Sequence, residues 1–222
     1  MQDDGFPITS IREIKVLYKL GNHPNIVQLH RIVRSKKQAV YLVFEFVQFD
    51  LYRILRREQV VFTKPQLKYI MKQIMTGLIF MHRNRIIHRD IKSENILVST
   101  DGVLKFADFG LARDLYLPTY NESTGKMQPA RYTRKVVTPY YRPPEVCLMD
   151  PFYDEKVDVW STACVFAELL SKRPLFRGTS ELDQLPCIFK IMISGESSMP
   201  SEEDWPGFRA LMDTVYPNNS FP

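Results

Sequence analysis

Ile86-Ile87-His88-Arg89-Asp90-Ile91-Lys92-Ser93-Glu94-Asn95-Ile96-Leu97-Val98, followed shortly by Lys105-Phe106-Ala107-Asp108-Phe109-Gly110, decides how this chain is read. The first block sets a carboxylate (Asp90), an ammonium (Lys92) and an amide (Asn95) on one short loop between apolar runs. The second puts Asp108 on the turn after a short strand, where Gly110 is expected to take the backbone angles of a tight turn. Such a set suits phosphoryl transfer. One carboxylate receives the proton of an attacking hydroxyl, while an amide and a second carboxylate hold magnesium on the phosphates. His-Arg-Asp alone is a tripeptide that chance supplies; with Lys92, Asn95, Asp108 and Gly110 in order, chance no longer accounts for it.

With 222 residues, 45% of them hydrophobic and 25% charged, the chain can bury a large core and is neither disordered nor fibrous. The net charge of +5 is only mildly basic, and the densest basic run, Arg34-Ser35-Lys36-Lys37, reads as a solvated turn. Direct nucleic-acid binding is therefore not expected. Cys147, Cys164 and Cys187 have no CxxC spacing and read as free thiols of a reducing compartment. No apolar run approaches the roughly 18 residues of a spanning helix, and no signal-peptide core opens the chain, so no membrane role is expected.

Ile11, Ile14, Leu17 and Leu20 recur at helical spacing, and Gly21-Asn22 supplies a stop. Val27–Val33 and Val40–Phe46 read as strands; the second is nearly apolar throughout, which predicts cover on both faces. Thr63-Lys64-Pro65-Gln66 is a capping box ahead of a helix whose core face is Leu67, Ile70, Met71, Ile74, Leu78 and Met81. The segment from Tyr116 to Ala130 is polar and rich in turn formers, as a surface loop is. Asp154–Ser171 is apolar almost all round (Val157, Trp160, Ala163, Phe166, Leu169) and is expected to be a buried helix, in which Asp158 needs partners. Pro186 falls inside a helix beginning near Ser180 and is expected to kink or delay it.

His-Arg-Asp-x-Lys-x-x-Asn followed by Asp-Phe-Gly resembles the protein kinases, and the resemblance runs from Gly5 to about Gly207. Pro7-Ile8-Thr9-Ser10-Ile11-Arg12-Glu13 resembles the cyclin-binding C-helix of cyclin-dependent kinases. Gln128-Pro129-Ala130-Arg131-Tyr132-Thr133 and Arg142-Pro143-Pro144-Glu145 are similar to their transcription-linked branch. The resemblance implies an α+β, two-lobe kinase fold. Residues 1–48 form a truncated N-lobe, the C-helix plus two or so strands, on a mainly helical C-lobe over residues 49–222.

It also implies roles. Asp90 is the catalytic carboxylate, Lys92 steadies the transferred phosphoryl group, Asn95 and Asp108 bind Mg²⁺, and Thr138 bonds Asp90 and Lys92. ATP is implied as the phosphoryl donor, with Phe44 behind the adenine, Glu45 and Val47 bonding it through backbone, Leu97 in its site and Asp50 near the ribose. Glu13 is the C-helix carboxylate that pairs with an ATP-binding lysine. Arg12, Arg89 and Arg113 gather a phosphate on Thr133, and Glu145 and Asp158 are structural. Val136, Val137 and Arg142 match the pocket for a proline after the phosphorylated Ser or Thr, although Pro139-Tyr140-Tyr141 departs from the family's Leu-Trp-Tyr.

A cyclin on the C-helix, Ser/Thr-Pro protein substrates and a nuclear or cytoplasmic setting, the nucleus favoured, follow by the same resemblance. No GxGxxG loop and no Val-Ala-Ile-Lys strand stand ahead of the helix in this sequence, and the last C-lobe helices are not in it. The rival reading is thus an incomplete or catalytically dead kinase that serves as a cyclin- or substrate-binding protein. A longer chain carrying the loop and lysine upstream is a third.

Overall fold

The computed structural model describes residues 8–36, 39–115, 119–121, 126–128, 132–133, 138–192, 200–201, 203 and 205–217. The chain divides into two compact units, Met1–Tyr116 and Leu117–Pro222.

In the first unit, helix α1 (Ile8–Leu20) ends where Gly21 takes φ +61° and donates its N–H to the Leu17 carbonyl at 3.0 Å. Val16, Leu17 and Leu20 are its buried residues, while Ile11, at the outer end of the expected stripe, is exposed. Strands β1 (Leu29–Arg34) and β2 (Val40–Phe44) then pair antiparallel. The expected cover on both faces is not found. Ile32, Val33, Tyr41 and Val43 are all exposed, because among the described residues this sheet has only two strands. An apolar strand sequence reports what a sheet can bury, and a two-stranded ribbon has too little partner surface to bury it.

A second sheet, in the order β3 (Phe49–Asp50), β5 (Ile96–Val98), β6 (Leu104–Phe106), is wholly antiparallel. Against it packs α3 (Lys64–Arg83), opened by the expected box: the Gln66 N–H donates to Thr63 Oγ1, and the Thr63 N–H to Gln66 Oε1 at 2.8 Å. Ile70, Ile74, Leu78 and Met81 are buried as the spacing predicts. Two further residues of α3 do work that periodicity hides. Gln73 is buried and accepts the Leu104 N–H at 3.0 Å on Oε1, giving its own amide N–H to the Gly102 carbonyl at 3.0 Å. Gly77 lets the Phe106 ring lie on the helix backbone. Short helix α2 (Leu51–Leu55), and the ladder of β4 (Ile86–Ile87) with β7 (Arg113–Asp114), complete the unit.

The second unit contains a small hairpin, β8 (Thr119–Asn121) with β9 (Lys126–Gln128), a 3-10 turn at Pro139–Tyr141, and helices α4 (Pro144–Cys147), α5 (Lys156–Ser171), α6 (Glu181–Met192) and α7 (Phe208–Val215). Val157, Val165 and Leu169 of α5 are buried, but Val159, Phe166 and Leu170 are exposed, so the helix is not covered all round. Its buried face is partly polar. Tyr141 donates its hydroxyl to Glu168 Oε2 at 2.7 Å, and Ser161 donates to the Tyr141 carbonyl at 2.9 Å. α6 is neither broken nor delayed by Pro186; it opens at Glu181 and runs on through Ile188 and Phe189, both buried. The buried neighbours hold the helix against the donor lost at the proline.

A methyl group at Gly77 would stand 2.8 Å from two carbons of the buried Phe106 ring. Gly77→Ala is therefore expected to destabilise the protein by about 1–3 kcal/mol of overpacking, against a helix-propensity gain of at most about 1 kcal/mol. Thermal melting of the variant checks it: a raised Tm is the contrary outcome.

Candidate active site

The loop between β4 and β5 is where three of the four expected catalytic residues, Asp90, Lys92 and Asn95, meet. Asp90 is buried, and its Oδ2 receives both the Lys92 ammonium at 2.7 Å and the Asn95 side-chain N–H at 3.0 Å. Asn95 also donates to the Asp90 carbonyl at 2.9 Å, which pins the amide and leaves its oxygen as the acceptor end. The 3-10 turn Ser93–Asn95 brings Asn95 back over Asp90.

His88 joins this loop to the segment that carries Asp108. Fully buried, it accepts the Asp90 backbone N–H on Nδ1 at 3.2 Å, so its proton lies on Nε2, 3.1 Å from the Ala107 carbonyl oxygen. Phe109, also fully buried, packs on the imidazole at 4.9 Å between ring centres. The His-Arg-Asp motif contains His88, but only the fold reveals that it is the bracket between the two motifs.

Asp108 is exposed and, at φ +60°, occupies the left-handed region. The residue expected there was Gly110, which does not adopt a positive φ. The reason is local: aspartate tolerates the left-handed conformation when its carboxylate bonds nearby backbone, and Oδ1 of Asp108 faces the Gly110 N–H at 3.4 Å. Glu13 of α1 comes to the same place. Burial raises its carboxyl pKa first and the neighbouring Asp108 charge second, opposed by a bond from the Phe109 backbone N–H.

The remaining expected site residues spread along the same unit. Phe44 ends β2; Glu45, Val47 and Asp50 follow, all half-buried, and Leu97 sits opposite Asp50 in the β3–β5 register. Asp50 has a further duty as N-cap of α2, accepting the Arg53 N–H at 2.7 Å. Arg89 is fully buried at φ +66°, with Nε donating to the Leu111 carbonyl at 2.9 Å. Arg113 reaches the next carbonyl, that of Ala112, at 2.8 Å, so two of the three arginines share one turn. Arg12 is exposed on α1.

In the second unit Thr133 is exposed, with its carbonyl held by the Tyr153 hydroxyl at 2.8 Å and the preceding Tyr132 ring stacked on Tyr153. Thr138 precedes the 3-10 turn and accepts the Tyr141 N–H at 2.9 Å on its carbonyl. Arg142 and Asp158 are buried, and Glu145 lies in the first turn of α4. Val136 and Val137 lie outside the described residues.

The donor set at Asn95 and Asp108 is an amide oxygen and a carboxylate, hard oxygen ligands of the type magnesium takes when substrate phosphates and water fill its other positions. No group of three or more His, Cys, Asp or Glu that could hold a metal by itself occurs among the described residues.

The protein kinase domain family matches residues 2–216. The chain belongs to the protein kinase family. It is 42% identical over 220 residues to cyclin-dependent kinase C-1 of Oryza sativa subsp. japonica, covering 92% of this chain and 40% of the relative. It is 42% identical over 197 residues to human cyclin-dependent kinase 9, covering 86% and 51%. The yeast RNA Pol II CTD kinase CTDK-1 complex contains a chain with the same fold at a TM-score of 0.82 and 38% identity, covering 95% of this chain and 64% of that one. The CAK complex of Chaetomium thermophilum bound to ATP-gamma-S matches at 0.82 and 37%, covering 95% and 61%. The kinase fold and the likeness to cyclin-dependent kinases are thereby shown, and the chain spans about two fifths to one half of the two curated relatives described. No described helix is long and apolar enough to cross a membrane.

Glu145 carries the largest consequence for pH. Burial, with lesser contributions from Asp154 and Asp150, pushes its carboxyl up to about 7 against an ordinary 4.5. A carboxyl raised on folding favours the folded state while protonated, and that advantage is lost as pH rises from about 4.5 through about 7. Over that window the wild type is expected to lose on the order of 1–3 kcal/mol relative to Glu145→Gln. Urea unfolding of both proteins across the window checks it; parallel curves are the contrary outcome.

Proposed function

We propose that this protein is an ATP-dependent serine/threonine protein kinase of the cyclin-dependent type, with lobes divided at residues 48 and 49. What supports the reading most is the convergence of Lys92 and Asn95 on one carboxylate oxygen of Asp90. Asp90 orients the substrate hydroxyl and takes its proton as the oxygen attacks. Lys92 offers its ammonium to charge that develops on the transferred group, where a preorganised cation counts most. The backbone of Glu45 and Val47, with Phe44, Leu97 and Asp50, receives the nucleoside. Asn95 and Asp108 hold Mg²⁺, which neutralises phosphate charge when bound.

Thr138 belongs to the same catalytic reading as Asp90 and Lys92. Val136, Val137 and Arg142 select proline after the target residue, so the substrates are proteins with Ser/Thr-Pro sites. A cyclin docks on α1, and the working compartment is the nucleus. Thr133, exposed on a segment pinned by Tyr153, is the regulatory phosphorylation site. A phosphate there brings about −1.5 to −2 charges to Arg12, Arg89 and Arg113, whose guanidinium groups repel one another without it. Glu145 and Asp158 support the loop structure.

Two experiments on the cyclin-bound, full-length protein test this. Asp90→Asn is expected to lower turnover by about 10²–10⁴ while nucleotide affinity is retained; near-normal turnover removes Asp90 from the mechanism. After treatment with an activating kinase, Thr133→Ala is expected to fall behind wild type by about 5- to 150-fold, the usual span of a coupling between two sites. Equal activities mean that Thr133 is not the switch.

A further inference from the structure

Lys105 is the one charged side chain of the Lys105–Gly110 block for which phosphoryl transfer has no use. It stands on β6, three residues before Asp108, and its ammonium lies 3.0 Å from Glu45 Oε1, with both side chains largely buried. Glu45 follows β2 directly and belongs to the segment read above as the nucleoside hinge. Its carboxylate is held from a second side by the Gln28 N–H at 2.8 Å, and its own N–H donates to the Gln28 carbonyl at 3.0 Å.

These contacts close a ring. The Val27 N–H donates to the Phe106 carbonyl at 2.9 Å, and Gln28 is bonded to Glu45 as described. Glu45 then returns to Lys105, the neighbour of Phe106. Beyond the ring, the Phe106 N–H bonds the Asn25 carbonyl and the Ala107 N–H bonds the Asn95 carbonyl, each at 2.9 Å. The path therefore continues by hydrogen bonds into the magnesium residues. A cleft of about 270 Å³ lined by His23, Gln28 and Lys105, among others, opens beside the pair. The His23 pKa is lowered by burial and by the Lys105 ammonium.

We propose that the Lys105–Glu45 ion pair is a positioning strut that fixes the hinge segment at a set spacing from the strand that leads to Asp108. A nucleotide that spans both ends needs that spacing; this use of the strut rests on the nucleotide-site reading, while the strut itself does not. Partly buried charges attract each other through less water than surface pairs do, and removing one leaves the other poorly solvated. Loss of the pair opens the ring and lets its two sides move independently.

Amide hydrogen exchange on the full chain without nucleotide tests the strut. Lys105→Met and Glu45→Gln are each expected to speed exchange of the Glu45 and Ala107 amides together, by about tenfold, equivalent to about 1.4 kcal/mol. Lys105→Arg, which keeps the pair, is expected to match wild type. Faster exchange on one side only, or no effect of Glu45→Gln, overturns the strut. In parallel titrations, ATP·Mg²⁺, which reaches both ends, is expected to lose about tenfold in affinity on Lys105→Met, and adenosine, which reaches only the hinge, to lose none. Equal losses overturn the spacing role. Coupled exchange in a wild type that binds neither ligand upholds the strut and sinks the nucleotide reading instead.

Discussion

The His88 imidazole receives the Asp90 N–H on one nitrogen and gives its proton to the Ala107 carbonyl from the other. Both bonds need the neutral ring with its proton on Nε2; a proton on Nδ1 would set one donor against another in a dry site. The two loops that supply carboxylates are therefore held apart by the width of one imidazole. Phe109 and Phe106 pack around that ring, and burial of these groups makes the spacing rigid. Asp90 and Asp108 come from different turns, and the imidazole joins them together with the Ala107 N–H to Asn95 carbonyl bond at 2.9 Å and the β5–β6 ladder.

Rigidity of this kind supports backbone strain. Arg85, Arg89 and Asp108 all have positive φ without being glycine, and each flanks the loop or the turn that forms the site. Residues in such conformations cost on the order of 1–2 kcal/mol each and persist only where surrounding contacts over-determine them. Here those contacts are visible. Arg89 is bonded to the Leu111 carbonyl, the Leu115 N–H bonds the Arg85 carbonyl at 2.8 Å, and Asp108 caps its own turn. A relaxed backbone at Asp108 would turn its carboxylate elsewhere.

The parts of this arrangement that were legible in sequence are those written in local spacing. The α3 capping box, the stop of α1 at Gly21 and the order His-Arg-Asp, Lys, Asn, Asp-Phe-Gly each depend on residues a few positions apart. What escaped depends on partners distant in the chain. Gly77 against Phe106, Gln73 against Leu104 and Lys105 against Glu45 have no periodic signature, since the partner is chosen by the fold. For β2 the two kinds of signal diverge: its own apolar sequence predicts cover on both faces, while a sheet lacking the family's first strands predicts the uncovered apolar face that is found. The assignment of the left-handed position to Gly110 failed because glycine's freedom was weighed without the bond that lets Asp108 take it.

Charge is the last link between this geometry and its chemistry. Asp90 is balanced by Lys92 within the loop, so its carboxylate is held in place and partly neutralised. Asp108 is different. Its acidic neighbour is Glu13, whose carboxyl pKa is raised first by burial and second by the Asp108 charge. The Phe109 N–H relieves Glu13 only in part. A pair of acids brought together by a helix and a strained turn lowers its energy when a cation enters beside it, and exposure of Asp108 leaves that entry open. The same fold thus gives Asp90 a lysine partner and Asp108 an acidic neighbour. On the function proposed above, that difference suits Asp90 to the part of a base and Asp108 to that of a cation ligand.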